Sequence, residues 1–185
     1  MIGHEGLHRE TLLSLLADSG GRDGRSYLAT GNVTFTAAPR DLAAVVRRLE
    51  RGIQAVIGRH EPVITRRHDW LSELVARAPF ASFDPAEWGV EVAFLPLEEH
   101  RMAGGAADEE SGVGDDSGEV AWHSAMADPA PAVAVEMTPT ELLMARPRAV
   151  PNTPQANPLL ERAAGTKATT RAWSTLVRLA ADPLR

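Results

Sequence analysis

The chain contains no cysteine, which removes disulfides, thiolate nucleophiles and thiolate metal ligands together. It has one tyrosine, Tyr27, and one lysine, Lys167, so arginine carries nearly all of the positive charge. No stretch approaches the roughly 18 consecutive apolar residues that a membrane-spanning helix needs. The first residues lack the basic-then-apolar pattern of a signal peptide. With cysteine absent as well, the expected location is the cytoplasm, with no membrane partner. Also missing are a P-loop, a dinucleotide fingerprint and a G-x-S-x-G elbow. No cofactor is implied.

What is present suits an ordinary globular protein. The 185 residues are 44% hydrophobic and 24% charged, enough for one domain or two small subdomains with a real core. A formal net charge of −6 argues against a nucleic-acid partner held by its phosphates. The charge is unevenly spread. Asp108, Glu109, Glu110, Asp115, Asp116 and Glu119 fall in one stretch without a basic residue, whereas seven basic residues from Arg146 onward face only Glu161 and Asp182.

Apolar spacing predicts a helix over 8–17, with Leu12, Leu13 and Leu16 inward and Gly20-Gly21 as its stop. Residues 26–36 read as β-structure turning at Thr30-Gly31-Asn32. Pro39 opens a long amphipathic helix to Ile57, with Val45, Val46, Leu49 and Ile53 on one side and arginines on the other. A strand over 61–65 and a helix from Asp69 to a stop at Pro79 complete a ferredoxin-like order of elements, except that the strand expected before the first helix is missing.

The second half opens with a strand over 90–95. A segment over 97–103 has helical character, an acidic glycine-rich loop covers 104–118, and a short strand spans 119–123. Residues 124–156 read as an insertion. Within them Thr138-Pro139-Thr140-Glu141 has the form of a capping box, predicting a helix over Leu142, Leu143 and Met144. Two helices close the chain as a hairpin over 157–181. The first has Asn157 as cap and Gly165 as stop, the second Thr170 as N-cap and Trp173, Leu176, Val177 and Ala180 as its inner face.

Three constellations could carry chemistry. His4-Glu5-Gly6-Leu7-His8 spells H-E-x-x-H, which on a helix would place two imidazoles and a general base for zinc. Gly6 opposes a helix there, and Thr11 and Ser14 stand where an extended zincin motif has glycine and a third histidine. Chance is the better reading, and no metal is expected. Thr170 and Arg171, with Lys167 nearby, could hold a phosphate or carboxylate at a helix start, though plain capping explains the same residues. Asn32 could offer its amide to a ligand, but a turn needs glycine and asparagine for its own geometry.

Four stretches also carry a resemblance: Tyr27–Phe35, Ala78-Pro79-Phe80, Val90–Leu95 and Asn157–Leu179 resemble the family catalogued as domain of unknown function 1697 (DUF1697), in the same order. The resemblance implies a small bacterial α+β protein whose activity is not established, beginning with a hydrophobic strand that leads to a glycine turn near Gly3. It also implies asparagines on either side of Trp173, where this chain has Ala172 and Ser174, and a Ser-Lys pair where Thr153-Pro154-Gln155 stand.

The expected fold is therefore α+β: a ferredoxin-like N-terminal subdomain over 1–80 lacking its first strand, then a smaller α/β subdomain over 81–185 closed by the helical hairpin. The expected function is a non-catalytic binding or interaction module, its partner a small anionic ligand or another protein. Its candidate contact residues are Thr170, Arg171, Lys167 and Asn32. The enzyme alternative is a zinc hydrolase built on His4, Glu5 and His8. A third reading is a truncated family member without independent function.

Overall fold

The structure, a computed structural model, describes residues 6–27, 31–97, 132–150 and 156–182. It is a mixed α+β protein whose contacts separate into two units, Met1–Val63 with Leu97–Ala107, and Ile64–Pro96 with Asp108–Arg185. That division precedes residue 80, so the helix expected to end the first subdomain packs in the second unit. Of the helical segment expected over 97–103 all but Leu97 lies outside the described residues, as do the acidic loop and the strand at 119–123.

The first unit runs α1 (Arg9–Asp18), β1 (Arg22–Tyr27), β2 (Asn32–Thr36) and α2 (Pro39–Ile57). Gly31, at φ 80, supplies the left-handed residue of the hairpin, a conformation costly for any side chain with a Cβ. α2 has the predicted bounds because both ends carry their signals: Pro39 sits in its first turn and Gly58 ends it at φ 76. Its inner residues Val45, Leu49 and Ile53 pack with Leu7, Leu12 and Leu16. A strand at 61–65 does not form. The Val63 N–H donates instead to Glu50 Oε1 on α2, at 2.9 Å. Among the described residues this unit's sheet has two strands, short of the ferredoxin-like layout.

The second unit contains α3 (His68–Ala76), β3 (Trp88–Phe94), β4 (Val133–Met137), β5 (Glu141–Pro147), α4 (Ala156–Ala164), β6 (Thr169–Ala172) and α5 (Trp173–Ala181). Its sheet has the order β4-β5-β3-β6, and each neighbouring pair is antiparallel. Register assigns the faces, since directly opposed residues share a side. Ala93 lies opposite Leu142 and Thr170. This face packs with Leu160 of α4 in one core cluster. Val92 lies opposite Leu143 and Arg171 on the other face, where Trp70 of α3 meets Phe94 edge-on at 6.2 Å.

Two expectations fail here. The helix expected over Leu142, Leu143 and Met144 inside an insertion is instead part of a central strand over 141–147, with Leu142, Leu143, Met144 and Ala145 all at 1% exposure or less. One bond of the supposed capping box does form, the Glu141 N–H donating to Thr138 Oγ1 at 2.9 Å. The Thr138 N–H then donates to the Glu141 carbonyl at 2.9 Å, which closes a hairpin turn instead of opening a helix. The closing helical hairpin is also interrupted, because residues 169–172 pair with β3 as a strand. Among the described residues no helix is long and apolar enough to cross a membrane.

Candidate functional site

Strand β6 carries two of the residues singled out from the sequence, and a strand treats neighbours differently from a helix. Successive side chains leave on opposite faces, so Thr170 and Arg171 do not converge. Thr170 turns toward α4, where its hydroxyl donates to Asn157 Oδ1. Asn157 Nδ2 donates in turn to the Ala168 carbonyl at 3.2 Å, and the Ala168 N–H donates to Glu161 Oε1 at 3.0 Å. Asn157 is therefore a clasp between α4 and β6, within the helix and not its cap. Thr170 is a sheet residue, and the N-cap of α5 is Ala172, which has no side-chain cap bond.

Arg171 lies on the other face. Its Nη1 donates to Thr169 Oγ1 at 2.6 Å and to the Thr170 carbonyl at 2.8 Å. Burial lowers its pKa, because withdrawal from water disfavours the charged form. Lys167 is exposed on the approach to β6. Asn32 belongs to the first unit, where it is 8% exposed at the start of β2. Trp173 opens α5 half-buried, and its ring meets Phe80 at 5.1 Å and 71°, an edge-to-face geometry favoured for aromatic pairs.

Two further withdrawn charges are ones that spacing did not suggest. Arg66 Nε donates to Glu141 Oε1 at 2.6 Å, with side chains only 12% and 7% exposed. Arg66 Nη2 also donates to the carbonyls of Leu95 and Thr140, each at 2.9 Å. Its guanidinium lies 5.2 Å from the centre of the Phe94 ring, within cation–π range. Burial lowers the Arg66 pKa, partly offset by Glu141. The pair is 75 residues apart in the chain, so only the fold brings it together.

The H-E-x-x-H reading loses its helix. Gly6 has φ 86 and α1 begins at Arg9, with His8 as its extended N-cap. His8 thus precedes the helix, and His4 and Glu5 lie outside the described residues. Among the described residues no group of three or more His, Asp or Glu could hold a metal ion.

A family model matches residues 2–120, and its description is a protein of unknown function, DUF1697. The chain belongs to the DUF1697 family. The match covers Tyr27–Phe35, Ala78–Phe80 and Val90–Leu95 and ends before Asn157–Leu179. β3 thus comes from the matched region, and both of its partners, β5 and β6, come from beyond it. No curated protein and no solved structure matches the chain.

Proposed function

We propose that this DUF1697 member is a non-catalytic binding module that takes a small anion at the β6–α5 junction of its second unit. The observation that carries the reading is Arg171, a guanidinium partly withdrawn from water one residue ahead of a helix N-cap that has no side-chain cap bond. The first N–H groups of a helix and its dipole favour negative charge, and a desolvated guanidinium binds carboxylate or phosphate more strongly than an exposed one. The Thr169 hydroxyl fixes the fork. Exposed Lys167 adds a second cation nearby, while Thr170 anchors the strand to α4 instead of meeting the ligand. Asn32, in the other unit, is left out of this site.

Amide chemical shifts followed during titration with inorganic phosphate, then with a mononucleotide, test the proposal. Saturable shifts at Arg171–Thr175 are expected, with affinity weakened about tenfold or more in Arg171→Met, the scale of one lost hydrogen bond to a charged group. Shifts confined to other elements, or an affinity untouched by the substitution, would overturn it.

A further inference from the structure

The solvent side of α2 carries three arginines for which, among the described residues, the only acid within 4 Å is Asp41, beside Arg40. Arg40, Arg47 and Arg51 stand seven and eleven residues apart, so at 100° per residue they fall within about 40° of one line, and they span about 16 Å along the axis. Arg40 is 89% exposed and lies 3.9 Å from Asp41, too far for a hydrogen bond. Arg47 and Arg51 are like charges at i, i+4, an arrangement that weakens a helix. Glu50, the acid closest to both in sequence, accepts the Val63 N–H at Oε1. Arg48, the other arginine here, donates to the Ser19 carbonyl at the end of α1. The opposite side of α2 is the buried one, with Val45, Val46, Leu49 and Ile53 in the core.

We propose that this arginine ridge is an interaction surface for a second copy of the chain, recognised through the acidic run at 108–119. Charge complementarity picks the occupant. The run holds Asp108, Glu109, Glu110, Asp115, Asp116 and Glu119 with no basic residue. Its two acid clusters, 108–110 and 115–116, are separated by four residues. Even fully extended chain places Glu110 and Asp115 at most about 17 Å apart, a reach that matches the ridge. Guanidinium groups pair with carboxylates in two-point geometry, which favours this acceptor. A nucleic-acid strand is the poorer fit, since the chain's net charge of −6 repels a polyanion.

Association of this kind is salt-sensitive, because exposed pairs are screened when the Debye length shrinks to a few ångströms. The mass of the full chain by light scattering and sedimentation, over a concentration series at low and at high salt, tests it. The expected result is concentration-dependent association at low salt whose dissociation constant weakens about tenfold or more by 0.5 M salt. The double variant Arg47→Glu with Arg51→Glu is expected to stay monomeric, as is a variant with the six acids changed to their amides. Mixing the two should restore association, because one copy keeps the ridge and the other the acids. Unchanged thermal melting shows that both variants fold. A monomer under every condition, association insensitive to both variants, or a ridge that instead binds a short RNA while the copies stay apart would each overturn the proposal.

Discussion

Glu141 shows how much a single position can carry once the fold has closed around it. It ends a buried ion pair with Arg66, and removing one partner of such a pair leaves a charge without compensation. Glu141→Gln is expected to cost about 3–5 kcal/mol, whereas Arg66→Met together with Glu141→Leu should recover most of that loss. Urea midpoints of the parent and the two variants measure both. Asp69 lies at the other extreme, on the surface, with its side chain 56% exposed. Its bond from Arg67, and then the Trp70 N–H, hold its carboxyl down to about 2. A depressed carboxylate contributes stability that is present above the ordinary value near 4 and fades as the pH falls through about 2. An NMR titration should place its midpoint there, and Arg67→Ala should return it toward the ordinary range. Ala78, just before Pro79, has φ 46, a left-handed conformation that costs a residue with a Cβ about 1–2 kcal/mol. Ala78→Gly removes that cost and adds chain entropy to the unfolded state, so a net gain of about 0.5–1 kcal/mol is expected. None of the three environments can be read from residue type alone.

Elements follow the sequence where their signals are local. α1 and α2 form where apolar spacing and terminal proline or glycine place them, as does the β1–β2 hairpin around Gly31, because each signal lies within a few residues of what it controls. The two misread strands have one source, local signals that serve helix and strand alike. Thr138-x-x-Glu141 makes local bonds that serve a helix start and a hairpin turn alike, and the run Leu142–Ala145 that follows is apolar at every position. Such a run fits a buried strand or a buried helix equally well until its neighbours are known. The same holds for Thr169–Ala172, which lies along β3 before α5 begins. If β5 is the central strand described, both faces must be core. Leu143→Ala and Met144→Ala should then each cost about 2–5 kcal/mol in denaturant unfolding. A surface helix would leave at least one of them within about 0.5 kcal/mol of the parent.

For the whole molecule, the second unit depends on the chain beyond the family match. β3 has its ladder partners in β5 and β6, so a chain ending at residue 120 would keep β3 while losing both of its neighbours. Such a chain should lose the dispersed amide signals of 88–95 and unfold with less cooperativity, since unpaired buried backbone groups are costly. Composition and spacing by themselves determined the mixed α+β class, the first unit's helices and hairpin, and the charged side of α2, while the family rested on the likeness of particular stretches to DUF1697. Those properties depend on neighbours in sequence. Tertiary structure alone decided that 141–147 and 169–172 are strands, that Thr170 and Arg171 part to opposite faces, and that Arg66 meets Glu141. Each of these depends on a partner many residues away, and a pattern along one chain does not say which distant strand will supply the hydrogen bonds.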